Sequence, residues 1–255
     1  MLQLHPTRKM DLNICIEDLG VRDSEETIRQ KIDKCKQLGF HTIALSVVVD
    51  LSESKSKMVQ IPEPPNKEVL NIGKRFTIYT RLTVKVNHTD SLYKLNKNPT
   101  TASYDLLALE PLNYDILQYI ARGNTSLDIL TFDLSERMDF NFFKTKFKTL
   151  EDRNVCIEIN YGAAQLGSAL RRNIICNGQN LIEKTMKNVI LSNGVKDLFR
   201  LRGPMDAISL GVLFMIPQKR CHDTVYKNAT KALESAKYRS NPTSSAIELI
   251  TPHAS

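Results

Sequence analysis

At 255 residues, with 42% hydrophobic and 25% charged side chains, the chain has an ordinary globular composition and room for one large domain or two small ones. Five scattered cysteines (Cys15, Cys35, Cys156, Cys176 and Cys221) contain no C-x-x-C pair, which excludes a disulfide framework and a zinc ribbon. A net charge of +7 favours a polyanionic partner such as nucleic acid, the alternative being a solvated surface with a lysine bias.

The N-terminal MLQLHPTRKMDLN has no signal-peptide core, and no apolar run reaches membrane-spanning length, so a soluble intracellular chain is expected. Residues 1–9 read as an extension. DLNICI, from Asp11 to Ile16, alternates as a first strand. Asp23 then offers an N-cap with Glu26 three residues on, and Ile28, Ile32, Cys35 and Leu38 form a helical apolar stripe that Gly39 ends. HTIALSVVV follows as a buried strand, which completes a right-handed βαβ unit. The Pro-rich stretch 50–73 reads as an excursion loop. RFTIYTRLTVKV, from Arg75 to Val86, is the longest predicted strand, with Arg81 and Lys85 on its polar face.

Further strands are expected in DLLALEP, LDILTFDL, VCIEIN, VILSNG and LFRLR, with helices between them. A buried helix is expected from Pro204 to Ile216 and a basic one from Gln218 to about Lys237, before a tail from residue 238 to 255. About eight strands alternating with helices predict an α/β fold, a TIM-like (β/α) barrel occupying residues 10–237 as a single domain.

Such a barrel invites comparison with metal-dependent phosphoesterases, which need His, Asp and Glu side chains converging at the carboxyl ends of the strands. Only His88 lies just beyond a strand end, and Asn13 and Cys15 occupy the places of an H-x-H pair. No G-x-S-x-G elbow, P-loop or dinucleotide glycine pattern is present, and no cofactor or metal is expected. Asp133 and Glu158 could pair as catalytic carboxylates; the preferred reading is that they neutralise Arg81 or Lys85. In LFRLRGPMDAISLGVLFMIP, Gly203 suits an N-cap, Pro204 the first helical position, and Asp206 the third, where its carboxylate reaches back to the cap. Arg202, four residues earlier, is placed to pair with Asp206.

Taken in one register, FTIYTRLTVKV, YDLLALEP, IEINYGAA with LRRNIICNG, and LRGPMDAISLGVLF resemble the thirty-kilodalton protein subunit family of ribonuclease P and ribonuclease MRP. The resemblance spans about Met10 to Ala232. It implies a barrel related to that of polymerase-and-histidinol-phosphatase-type phosphoesterases without their metal ligands. It implies a non-catalytic scaffold of a ribonucleoprotein whose RNA removes the 5′ leader of precursor tRNA. The implied partners are ribonuclease P RNA, ribonuclease MRP RNA, a small subunit with an RNA-recognition-motif-like fold and other subunits, in the nucleus and nucleolus. Candidate RNA contacts are Arg75, Arg81, Lys85, Arg171, Arg172, Arg200 and Arg202, because guanidinium forks match phosphate oxygens. For each single arginine the alternative is an internal salt bridge. The alternative function is a metal-dependent phosphoesterase.

Overall fold

The computed structural model describes residues 8–52, 60–67, 70, 76–138, 142–185 and 187–240. Strand β1 (Met10–Asp18) turns through Gly20, at φ +80°, into the two-residue β2 (Val21–Arg22). Helix α1 (Glu25–Gln37) and β3 (Thr42–Asp50) follow, then β4 (Thr77–Val86), α2 (Thr89–Lys97) and the short α3 (Pro99–Ala102). Next come β5 (Leu106–Pro111), α4 (Tyr114–Ala121), β6 (Ile129–Leu130) and α5 (Lys144–Asp152). The chain continues through β7 (Cys156–Asn160), α6 (Ser168–Lys184), β8 (Val189–Ser192), α7 (Pro204–Leu213), α8 (Gln218–Cys221) and α9 (Lys227–Ser240).

The sheet runs β2-β1-β3-β4-β5-β6-β7-β8, parallel throughout except for the β1–β2 hairpin. It curls until β8 comes back beside β1. There the joint is made by hydrogen bonds beyond the end of β8 rather than by a ladder. The Gly194 N–H donates to the Asn13 carbonyl at 3.0 Å, and the Asn193 side-chain amide donates to Asp11 at 2.7 Å. The βαβ order and its packing thus give a TIM-like α/β barrel.

Two apolar layers hold it. Outward-facing strand residues such as Ile14, Val47, Leu82 and Leu109 pack under the helices. Inside, Met10, Leu12, Ala44, Leu106, Ala108, Ile129, Cys156 and Ile190 meet Ala229, Ala232, Leu233 and Ala236 of α9. Since most of these strand residues are the first or second of their strands, α9 stoppers the amino-terminal end of the barrel. A register shift between Asp11 and Ile14 lets Leu12 face this plug and Asn13 face the polar layer above it.

Several boundaries differ from those expected. Ser24, not Asp23, caps α1, its hydroxyl accepting from the Thr27 N–H at 3.2 Å. The Asp23 carboxylate is instead drawn to Lys31, a fully buried ammonium 2.5 Å away that also donates to the Cys15 carbonyl. LFRLR is not a strand. The Asp197 carboxylate accepts from the Phe199 N–H and turns 198–200 into a 3-10 turn, and the barrel is already joined upstream at Asn193 and Gly194. The basic helix expected from Gln218 is split into α8, a 3-10 turn at 222–225 and α9, which runs on through Tyr238 to Ser240. In α7 only Pro204, Ala207, Ile208 and Gly211 are buried, while Met205, Val212 and Leu213 lie about half exposed, so this helix is not enclosed all round. Within the expected excursion loop the described residues include a segment pinned at Pro62, whose carbonyl accepts from the Tyr104 hydroxyl at 2.8 Å.

Candidate nucleic-acid interface

The carboxyl ends of the strands surround a cavity of about 220 Å³ whose lining includes Asn13, Cys15, Lys85, Glu110, Asp133 and Asn160. Its floor is a closed polar network. Arg81, with no exposed surface, grips Glu158 through two bonds of 2.5 and 2.6 Å, and spends two further donors on the Leu12 carbonyl and the Thr83 hydroxyl. Ser192 and Asn13 also donate to Glu158. Burial by itself would raise the Glu158 pKa; the adjoining guanidinium outweighs it and holds the carboxyl below its usual range. Arg81 is therefore a correction to the set of candidate RNA contacts: a phosphate has no route to it.

Above the floor, burial pushes the Glu110 carboxyl up to about 7, opposed by the Lys85 ammonium at 3.8 Å and reinforced by Asp133, Asp50 and Glu158. Burial likewise lifts Asp11 to about 6, against hydrogen bonds from Asn13 and Asn193. Asp133 faces solvent and binds the Ser135 hydroxyl and N–H, so it does not pair with Glu158 as a catalytic carboxylate would. His88 is exposed at the start of α2 and makes no cap bond. Among the described residues, no group of three His, Cys, Asp or Glu side chains is arranged to hold a metal ion. The mouth thus offers one ammonium and several carboxylates, a mixed charge that gives an incoming phosphate little attraction.

Arg171, Arg172, Arg200 and Arg202 lie beside the barrel, where α6 and α7 meet. Gly203 caps α7, and the Asp206 carboxylate accepts from the Gly203 N–H at 3.0 Å. Arg202 does not pair with Asp206; its guanidinium donates to the carbonyls of Phe199 and Leu201. Arg200 is partly spent on Asp197 at 3.0 Å and on the Gln165 carbonyl at 2.8 Å. Arg171 donates through Nε to the Ala164 carbonyl at 3.0 Å and keeps its other nitrogens free of partners among the described residues. Arg172 is exposed and has no hydrogen bond or ion pair among the described residues. Arg75 lies outside the described residues.

Lys144, Lys146 and Lys148 on α5 lie in DFNFFKTKFKTLEDRN, whose pattern reads as a basic amphipathic helix but whose lysines are not among the candidate contacts; they form no ion pair among the described residues. The available signal is the lysine run itself, of which Lys144 and Lys148 are exposed and one turn apart, while Lys146 is half-buried on the side of Phe147 and Leu150.

A family model described as RNase P subunit p30 matches residues 8–241. The protein GAMETOPHYTE DEFECTIVE 1 of Arabidopsis thaliana is 31% identical over 69% of this chain, which spans about a third (31%) of that relative's length. A probable ribonuclease P protein subunit 3 of Schizosaccharomyces pombe is 25% identical over 90% of this chain and 94% of its own. Among solved structures, a chain of an archaeal ribonuclease P with mature tRNA superimposes with a TM-score of 0.64 at 15% identity, covering 90% of this chain and 92% of that one. This last likeness extends the shared fold over nearly the whole barrel.

Proposed function

The chain belongs to the RNase P subunit p30 family, and from that premise we propose that it is a non-catalytic subunit that binds RNA and neighbouring proteins within ribonuclease P. The match of the family model to residues 8–241, the whole barrel and its plug, is the observation that carries this reading. Removal of the 5′ leader from precursor tRNA is then performed by the assembled particle, with its RNA as catalyst. On this reading the role extends to ribonuclease MRP, the subunit works in the nucleus and nucleolus, and a small RNA-recognition-motif-like subunit is a neighbour; the resemblance of the sequence to that family supports it. The metal-dependent phosphoesterase reading gains no support from the mouth, whose donor set lacks a converging ligand group among the described residues.

Of the candidate phosphate contacts, Arg172 is the one favoured by its surroundings, because an exposed guanidinium without a partner among the described residues breaks no internal hydrogen bond on meeting RNA. The lysines of α5 are a second stretch of the same character. RNA would be recognised by backbone and shape.

The test is to tag the full chain, sequence the RNA that co-purifies, and examine tRNA 5′ ends after depletion. One abundant structured RNA and accumulation of 5′-extended precursors are expected. Arg172→Ala should lower the salt slope of RNA affinity by roughly one unit. A protein recovered without RNA, with tRNA 5′ ends maturing normally after depletion, would overturn the proposal.

A further inference from the structure

Between α6 and α7 lies a second cavity, of about 360 Å³, outside the barrel. Its walls are apolar, formed by Ile175 of α6, Leu210 and Leu213 of α7, and Phe214. Arg171 and Arg202 line it together with Asp206. Two buried polar atoms at this cavity have no partner among the described residues: the Tyr161 hydroxyl and the Gln165 Oε1. Tyr161 is 1% exposed. The orientation of the Gln165 amide is fixed, because its Nε2 donates to the Arg200 carbonyl at 2.8 Å. Buried polar atoms are rarely left without partners, and each one left so costs about 1–3 kcal/mol. Two together at one cavity are groups whose bonding an ordered water or a docked segment can complete.

The occupant must donate to Gln165 Oε1, since a carbonyl oxygen only accepts. The phosphodiester group of an RNA backbone has no donor and fails this requirement. A peptide group meets both needs, its N–H serving Gln165 and its C=O accepting from the Tyr161 hydroxyl. The surroundings then separate protein from nucleic acid. Leu166, Phe199, Met205, Val212, Leu213 and Met215 stand between 50 and 84% exposed on the segments that frame the cavity. Of these, Leu213 lines the cavity itself. An RNA backbone offers nothing apolar to cover such side chains, whereas a protein segment does.

We propose that this groove docks a segment of a partner protein subunit. The segment places one large apolar side chain against Ile175, Leu210, Leu213 and Phe214. An acidic residue beside it meets Arg171 and Arg202, whose guanidinium groups retain donors that have no partner among the described residues. The inference rests on the reading of the chain as a subunit of a ribonucleoprotein and assigns a surface to its protein contacts. It also takes Arg171 and Arg202 from the candidate RNA contacts.

The test uses the purified particle containing the full chain with a photo-crosslinking phenylalanine analogue at Ser209, an exposed position lining the groove. The expected adduct is to a protein subunit, at a segment where a large apolar residue adjoins Asp or Glu. Joint Arg171→Glu and Arg202→Glu substitution should reduce both the adduct and retention of that subunit by roughly tenfold. Tyr161→Phe removes one unpartnered hydroxyl. It should leave the melting temperature of the isolated chain unchanged or higher, and still weaken retention several-fold. An adduct to RNA, an adduct to a second copy of this chain, or no adduct in an intact particle would each overturn the proposal. So would normal subunit retention in Tyr161→Phe. In all these outcomes the particle and its RNA are still recovered, so the ribonucleoprotein reading survives; absence of RNA from the unsubstituted protein is what would remove that reading.

Discussion

Arg81 and Glu158 are both without exposed surface, and each is the reason the other can be there. A charged group taken out of water needs a close opposite charge and hydrogen bonds for its remaining atoms, and the Leu12 carbonyl, Thr83, Ser192 and Asn13 supply them. Removing one partner is therefore much worse than removing both. Arg81→Met is expected to cost roughly 3–5 kcal/mol in urea unfolding at neutral pH. The loss should shrink as pH falls, because the abandoned Glu158 would titrate above its unfolded value, and its cost accrues as pH rises from the unfolded pKa to that raised one. Arg81→Met combined with Glu158→Leu should recover most of the stability, and the salt slope of RNA affinity should not move in either variant. A single variant as stable as the parent at pH 7 would show that the pair is not load-sharing as described. The alternation in FTIYTRLTVKV turns Arg81 and Lys85 to one polar face, and the preferred reading of Glu158 is that it neutralises one or the other. What alternation does not encode is depth: Lys85, four residues on and on the same face, sits at the mouth and is half-buried, while Arg81 lies under a closed network.

Helix α7 shows which features of an element are local and which are supplied by neighbours. Its beginning is local: a cap glycine, a proline with no N–H to leave unpaired, and an aspartate at the third position all act within one turn. Its faces are not. Nearly every residue from Ala207 onward is apolar, so periodicity has no contrast to report, and only the packing partners decide that Gly211 is covered while Val212 is open. In LFRLR the same absence of context misled differently, since apolar residues alternating with arginines imitate a strand until Asp197 turns the backbone. The groove was unreadable for this reason, being made of residues from α6, α7 and the turn at 162–165. The contact that sets the spacing of the two helical segments is Gly178, where an added Cβ would fall 2.5 Å from the Phe214 ring. Glycine within a helix costs conformational entropy, and here the close approach of an aromatic ring explains it. Gly178→Ala should destabilise the chain by roughly 1–3 kcal/mol, despite the better helix propensity of alanine, and should displace Phe214 from the groove floor. Paired thermal melts and partner-retention assays check both effects; an alanine variant as stable as the parent and retaining its partner would contradict this packing.

The molecule as a whole has two unlike ends joined by one interior. At the carboxyl end the strands open on a polar mouth, while at the amino end α9 fills the barrel with three alanines and a leucine. Small residues at 229, 232 and 236 bring the helix axis close to the strand ends, and Leu233 supplies the bulk. The last turn is then fastened from outside: Arg239 pairs with Asp128 at 3.0 Å, and the buried Asp128 carboxylate also accepts the Leu107 N–H. The βαβ order made the barrel legible along the chain, yet a helix that serves as a stopper has the same amphipathic pattern as one on the outside. Its tight fit implies that the barrel and α9 unfold together, so that a chain ending at Tyr226 would expose Met10, Leu12, Leu106, Ile129 and Ile190 to water. Such a truncation is expected to be recovered aggregated. The milder Leu233→Ala, at a site 2% exposed, should cost about 2–5 kcal/mol while keeping a single calorimetric transition for the whole described body. If Leu233→Ala instead split the unfolding into two transitions, or if the truncated chain melted as the parent does, α9 would be an appendage and the barrel would be closed by its strands alone. The wide apolar interior at that end, covered among the described residues by α9 with Tyr79 packed beside it, is why the single transition is expected.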